Sequence, residues 1–340
     1  IEDLGANFQY DLPKDRFRQA YIARQLRVTL PIHLAPLAWK TFQLLPGAKE
    51  EHEGLYRNGV IDTPFVTISF DENLTVYDKT THEAYEDFLQ FEDRGDIGNE
   101  YIYFQPKNTE PIYAKLADVK VLENNARYAK VELSHELVLP VSAELLDQEQ
   151  KGIVEFMKRS AGRSSELTTM TLTTELTVFA DSPQLRFKTR FTNTAKDHRI
   201  RVLFRTHNSS KTNDSDSIYE VVRRNNQPAA SWENPENPQH QQAFVSLYDD
   251  KKAVTVANKG LNEYEILGDD TIAVTILRAT GELGDWGYFP TPEAQCLRDF
   301  QVEYTVECHQ PQERFAAYRR AKAFQTPLTA LQIAKQEGSV

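Results

Sequence analysis

Cysteine is nearly missing from this 340-residue chain, which holds only Cys296 and Cys308. Such sparing use excludes a disulfide-stapled scaffold and belongs to a reducing compartment, so the expected location is cytoplasmic and both thiols are expected to be free. No run approaches the 18 apolar residues that a membrane span requires, so no membrane partner is expected. The opening IEDLGANFQYDLPKDRF has neither the basic nor the apolar region of a signal peptide, and it does not start with Met. The sequence therefore reads as an internal piece of a longer protein. Basic charge is also short: 39 Lys and Arg stand against 50 Asp and Glu, for a net charge of −11. An acidic surface repels phosphate backbones, which argues against a nucleic-acid partner.

Several chemical signatures are absent too. The eight histidines form no HxH, HExxH or HxxxH pattern, and neither cysteine sits in CxxC, so no zinc site is legible. There is no GxSxG, and Ser134-His135 is a pair within a strand, not part of a triad. Gly281 and Gly284 are too sparse for a phosphate-cradling loop.

What is present is strand. Alternation of apolar and polar residues recurs in FVTISF (65–70), LTVYD (74–78), AKVELSHELVLPV (129–141), ELTTMTLTTELTVFA (166–180) and LRFKTRFTN (185–193), and the series continues to FQVEYTVE (300–307). In LRFKTRFTN, Leu185, Phe187, Thr189 and Phe191 share one face and Arg186, Lys188 and Arg190 the other. KDRFRQAYIARQL (14–26) has some helical spacing before the chain turns to strand. PQERFAAYRRAKAFQ (311–325) is the best helix, with Phe315, Tyr318, Ala321 and Lys322 at spacings of three and four, and TPLTALQIAKQ (326–336) could extend it. The polar stretch 44–59 reads as a linker. The Asn-, Gln- and Pro-rich run 223–242 reads as a long loop of the kind that is functional or covers another surface. So many strands with so little helix predict an all-β fold, a large antiparallel β-sandwich.

The densest polar motif is FEDRGDIGNEYIYF (91–104), with Asp93, Asp96 and Glu100 close together. Its spacing is not that of a calcium loop. Adjacent carboxylates on one loop also suit glycosidase chemistry poorly, because the two acids must flank the scissile bond. The simplest reading is a turn in which Gly95, Gly98 and Asn99 supply positive φ and Asp96 supports the bend. Tyr101, at the loop–strand junction, is placed to hydrogen-bond a hydroxyl-rich ligand. Trp232, Trp286 and Tyr288 look exposed and could stack on sugars, which keeps open a stand-alone carbohydrate-binding or oligomerisation module.

Several segments together resemble the C-terminal half of glycoside hydrolase family 38 α-mannosidases. They are RIRVLFRT (199–206), SIYEVVRR (217–224), ANKGLNEYEIL (257–267), TIAVTILRATGELG (271–284) and TPEAQCLRDFQVEYTV (291–306), together with DRGDIGNEYIYFQP (93–106). The resemblance implies the end of a small β domain and linker over 1–60, then a β-supersandwich, galactose-mutarotase-like, over 61–340. It also implies a retaining α-mannosidase as the parent protein, with its nucleophile and zinc in a catalytic domain outside this chain. On that reading the chain itself carries no catalytic residue, no metal ligand and no cofactor, and is inactive alone. The implied partners are a mannose-containing oligosaccharide and a second copy in a homodimer. By the same resemblance the substrate-binding candidates are Tyr101, Arg223, Arg224 and Asp96. VLFRT departs from the family pattern by carrying Arg205 where a Pro is usual.

Overall fold

A computed structural model describes every residue except 12–14, 31, 33, 36, 46, 48–51, 107–109, 145–157, 233–235, 285–287, 327 and 333–340. The chain divides into two compact units, residues 1–50 with 331–340, and residues 51–330.

In the first unit, β1 (Glu2–Tyr10) and β2 (Ala20–Arg27) form an antiparallel pair, with Phe8 opposite Ile22 and Gln9 opposite Tyr21. The helical spacing read over 14–26 thus yields to a strand from Ala20. Tyr21 and Ile22 suit a pleated ribbon, and their cross-strand neighbours on β1 outweigh a weak local preference.

Among the described residues, the second unit holds three antiparallel sheets. One runs in chain order through β3 (Tyr56–Arg57), β4 (Val60–Asp62), β5 (Val66–Phe70), β6 (Leu74–Asp78) and β7 (Glu83–Tyr85). A six-stranded sheet has the order β17 (Gln239–His240), β20 (Glu263–Leu267), β21 (Thr271–Ala279), β14 (His198–Arg205), β8 (Gln90–Gly95) and β9 (Ile112–Tyr113). A nine-stranded sheet has the order β10 (Lys115–Asn124), β11 (Tyr128–Pro140), β12 (Leu167–Phe179), β13 (Leu185–Thr192), β22 (Asp299–His309), β19 (Ala253–Asn258), β18 (Phe244–Tyr248), β15 (Thr212–Asp216) and β16 (Val221–Asn225). The expected all-β sandwich is what forms.

Period-two alternation builds the core. β11 and β12 pair in unbroken register from Tyr128↔Phe179 to Pro140↔Leu167. That register turns Val131, Leu133, Leu137, Leu139, Met170, Leu172, Leu176 and Val178 inward. They meet Phe91, Ile200, Val202, Phe204, Ile272 and Val274 of the six-stranded sheet, and Ile61, Ile68 and Val76 of the five-stranded one, in a single apolar cluster. On β13, Leu185, Phe187, Thr189 and Phe191 are buried as the alternation predicts. The buried Thr189 hydroxyl is satisfied by Thr174 at 2.9 Å and Tyr304 at 2.7 Å.

α1 (Arg314–Gln325) lies on the nine-stranded sheet, with Tyr318 stacked on Phe244 at 4.3 Å between ring centres. Its buried stripe is Ala317, Tyr318 and Ala321, whereas Phe315 is exposed and the helix ends at Gln325 without the possible extension. Cys296 and Cys308 are both free, as expected. No described helix is long and apolar enough to cross a membrane.

His135 takes the one polar place in the inward series of β11, with its ring edge-on to Phe91 at 5.1 Å between centres. Its Nδ1 has no hydrogen-bond partner among the described residues, and burial pushes the imidazole down to about 4 from 6.5. A histidine depressed in this way contributes its full stability above pH 6.5 and loses it as pH falls through 4, because only the unfolded chain takes up the proton readily. We expect His135→Phe to flatten the stability curve between pH 6.5 and 4 by roughly 1–2 kcal/mol, once relaxation around a charged ring is allowed for. Urea unfolding across that range checks this, and parallel curves for the two proteins would reject it.

Candidate functional site

The six-stranded sheet ends in a loop built by the sequence DIGNEYIYF. β8 stops at Gly95, opposite His198 of β14. The next residue, Asp96, is buried, and its carboxylate accepts N–H bonds from Gly98 at 2.9 Å and Phe104 at 3.2 Å. Ile97 N–H bonds Phe104 C=O at 2.7 Å and closes the neck. At the tip, Asn99 Oδ1 accepts the N–H groups of Tyr101 and Ile102, each at 2.9 Å, in an Asx turn.

Positive φ, expected at Gly95, Gly98 and Asn99, occurs at none of them. Space is the reason for glycine here. A Cβ on Gly98 would overlap the Ile102 carbonyl oxygen and sit 2.9 Å from the Phe104 nitrogen, and one on Gly95 would sit 2.7 Å from Pro106 Cγ.

Two arginines clamp the loop from outside. Arg278 of β21 donates through Nε to Asp96 at 2.7 Å, and through its other nitrogens to Asn99 C=O at 2.5 Å and to Glu100 C=O at 3.3 Å. Arg159 donates to Ile97 C=O at 3.0 Å and Gly98 C=O at 3.3 Å, and pairs with Glu282, whose backbone carbonyl accepts the Glu100 N–H at 3.1 Å. The carbonyls of the buried residues Ile97, Gly98 and Asn99 are thus satisfied by charged donors. The phenol of Tyr101, by contrast, projects outward, and the residue is 64% exposed. The sequence alone points to Tyr101 and Asp96 but not to Arg278 and Arg159. The available signal was a single cation in the apolar strand TIAVTILRA.

The three acids of the motif separate in space. Glu100 is exposed, Asp96 serves the loop, and Asp93 turns into the interior. Asp93 pairs with Arg163 and bonds His198 Nδ1 at 2.7 Å, while His198 Nε2 meets Asn193 Oδ1 at 3.0 Å. The Asn193 amide nitrogen donates to Gln295 C=O and Cys296 C=O, which fixes its oxygen toward the ring. Five segments are thereby stitched together beneath the loop.

The outer face of the same sheet is charged and covered. Arg201 lies between Glu92 and Glu265, 2.6 Å from each, with both arginine and acids buried. Arg199 sits over the Tyr103 ring at 3.5 Å and donates to Glu236 at 3.3 Å. Described residues between β16 and β17 close over this face: Asn237 N–H bonds Glu265 at 2.7 Å, and Trp232 Nε1 bonds Glu236 C=O at 2.9 Å. The run 223–242 is thus shorter as a loop than expected, because ladder pairing takes its two ends into β16 and β17. A stretch expected to be functional or to cover a surface covers one here. Burial, reinforced by the neighbouring Glu236, pushes Glu265 up to about 7.

Arg223 and Arg224 stand on β16, the edge of the nine-stranded sheet. Arg223 pairs with Asp214 at 2.9 Å and bonds Tyr248, and that carboxylate bond raises its already high pKa. Arg224 bonds Ser215 Oγ at 2.8 Å, Tyr264 OH at 3.3 Å and His240 C=O. None of these partners belongs to the 96–104 loop, so the four candidates drawn from the sequence divide between two places. Trp232 is 55% exposed, Tyr288 is 42% exposed, and Trp286 lies outside the described residues.

Among the described residues no group of three His, Cys, Asp or Glu side chains converges to hold a metal ion. A zinc ion finds no fitting ligand set in them.

The fold is a large antiparallel β-sandwich with a clamped, Tyr-tipped loop at one sheet end. Comparison with known proteins gives the family. The sequence profile described as "Glycosyl hydrolases family 38 C-terminal domain" matches residues 61–285, and "Glycosyl hydrolases family 38 C-terminal domain 1" matches residues 1–46. The chain belongs to glycosyl hydrolase family 38. It is 40% identical over 324 residues to a protein of Halalkalibacterium halodurans named as a candidate mannosylglycerate hydrolase, an alignment covering 91% of this chain and 36% of that protein. It superposes over its whole length on an α-mannosidase from Enterococcus faecalis V583, with a TM-score of 0.90 at 44% identity, and covers 40% of that chain. A family 38 protein from Enterococcus faecalis gives a TM-score of 0.87 at 39% identity, with 41% of its length covered. The chain thus spans well under half the length of the relatives it matches.

Proposed function

We propose that this chain is the structural and pocket-completing β portion of a retaining, zinc-dependent α-mannosidase, with Tyr101 as its direct contribution to the sugar site. The observation that carries this reading is the match along the whole chain to the Enterococcus faecalis α-mannosidase, together with a clamped loop that leaves Tyr101 exposed. A phenol on a rigid support can donate to, or accept from, a sugar hydroxyl at little entropic cost. Asp96 acts through the loop. The nucleophile and the zinc belong, on this reading, to another part of the same polypeptide, and the mannose-bearing substrate is held between the two. The mannosylglycerate hydrolase name of the Halalkalibacterium relative supports a small mannoside as one substrate to try.

The test uses the full-length polypeptide that carries this chain, with 4-nitrophenyl α-mannoside and mannosylglycerate as substrates. Tyr101→Phe is expected to lower kcat/KM about tenfold, the size of one lost hydrogen bond, with an unchanged melting midpoint. Unchanged kinetics would remove Tyr101 from the site. A full-length protein that cleaves neither mannoside would overturn the reading as a whole. The chain alone is expected to release no nitrophenol.

A further inference from the structure

We infer that His198 carries a proton on each ring nitrogen in the folded protein, and that this buried imidazolium is a proton-dependent lock beneath the Tyr101 loop. The assignment comes from what each nitrogen faces. Nδ1 lies 2.7 Å from Asp93 Oδ1, and Nε2 lies 3.0 Å from Asn193 Oδ1. Both partners are acceptors. The other Asp93 oxygen pairs with Arg163, so Asp93 is a carboxylate, which accepts and does not donate. Asn193 cannot turn its amide around. Its Nδ2 donates to Gln295 C=O at 3.0 Å and Cys296 C=O at 3.3 Å, and its Oδ1 also takes the Ala195 N–H at 3.1 Å. A neutral ring has one N–H and satisfies one of the two oxygens. The other oxygen would face a nitrogen lone pair, in a place where His198 has no exposure to water. The doubly protonated ring gives both oxygens a donor.

The surrounding charges agree with a cation. Asp93 and Arg163 stand on the Nδ1 side. Asp197, next in the chain and electrostatically coupled to His198, accepts Gln295 Nε2 at 2.6 Å and Ala143 N–H at 3.3 Å. Asp96 is paired with Arg278 and Glu282 with Arg159, while Arg94 and Arg199 are turned to Glu92 and Glu236. Lys196 and Glu293 are exposed. Asp93 and Asp197 thus stand against Arg163, and an imidazolium completes the balance. The ring also sits where its proton matters for the loop. His198 is opposite Gly95 at the end of β8, and Asp96 N–H bonds Asp197 C=O at 2.8 Å, so the neck of the loop starts from the backbone that carries the ring. Losing one proton breaks either the link to β8 through Asp93 or the link through Asn193 to the carbonyls of Gln295 and Cys296.

Neutron diffraction from crystals of the full-length polypeptide at pD 7.5, where an unrestrained histidine is largely neutral, is expected to show deuterium on both His198 nitrogens. Deuterium on one nitrogen or on neither overturns the inference. The lock itself is read by amide hydrogen exchange, corrected for the intrinsic effect of pH. Between pH 7 and 10 the 96–98 amides are expected to lose about tenfold in protection relative to β11 and β12, as the second proton leaves. In His198→Gln they are expected to exchange about tenfold faster than in the wild type at pH 7, with no further change up to pH 10. A constant protection ratio in the wild type across that range overturns the lock, and so does wild-type exchange in His198→Gln. If His198→Gln does not fold, the two measurements on the wild type still decide. Neither uses a sugar, so the inference stands or falls apart from the α-mannosidase reading.

Discussion

Replacing Arg201 by Ala is expected to lower the unfolding free energy by about 3–5 kcal/mol, a larger loss than most single substitutions cause. The guanidinium is buried and lies 2.6 Å from Glu92 and 2.6 Å from Glu265. Burial opposes its charge, but the two glutamates outweigh that opposition and hold it firmly protonated. Without it, Glu265 keeps the Asn237 N–H and Glu92 keeps Arg94 at 3.2 Å, but each loses its nearest cation in the interior. Each must then stay desolvated with weaker compensation or take up a proton. Denaturant unfolding at pH 7 measures the loss, and a change below 1 kcal/mol would refute this account of the cluster. Neutralising both acids as well, in Arg201→Met with Glu92→Gln and Glu265→Gln, is expected to recover most of the stability, because the cost lies in unpaired charge and not in lost volume.

The same cluster fixes a pH dependence. Glu265 is raised from 4.5 to about 7. An acid raised on folding stabilises fully below its unfolded value and loses that contribution as pH rises through its folded value, here between 4.5 and 7. The deficit of Arg201→Ala follows the same direction and grows as pH rises, through and beyond 7, because losing the cation raises Glu265 further.

How much of this is legible in the sequence follows from the range of each interaction. Strand positions come through because alternation is local: Leu185, Phe187, Thr189 and Phe191 can be assigned to one face from nine consecutive residues. The stretch 14–26 shows some helical spacing, and the strand that starts at Ala20 is not legible because its pairing to β1 is not local: Phe8 and Ile22 must already be brought together to favour it. Gly98 is recognisable as a turn residue, but for the wrong physical cause. One sequence does not reveal that the Ile102 carbonyl occupies the place of its Cβ. The charged face is invisible for a related reason. Arg199 and Arg201 in RIRVLFRT look like solvent-facing strand positions, and only the fold brings Glu236 and Glu265 over them. Tyr101 stands out in the sequence because it ends a turn signal. The residue that fixes its loop is missed because Arg278 reaches Asp96 across 182 positions of chain.

That long-range contact carries the second large effect. In the full-length polypeptide, Arg278→Met is expected to lower kcat/KM about a hundredfold, more than Tyr101→Phe, although Arg278 need not touch the sugar. Its three bonds end on Asp96, Asn99 and Glu100, so they fix the backbone immediately before Tyr101. Losing them frees two carbonyls at the loop tip and leaves the buried Asp96 carboxylate with only its backbone N–H donors. A displacement of about 1 Å in a positioning group costs on the order of a hundredfold. Lysine restores the charge but not the planar fork, so Arg278→Lys is expected to fall between the two. A merely structural role would lower the melting midpoint without changing the loop. Hydrogen exchange of the 99–102 amides separates the cases: positioning requires faster exchange there while β11 and β12 stay protected. Wild-type exchange at 99–102 combined with wild-type kcat/KM would show that Tyr101 holds its place without the clamp.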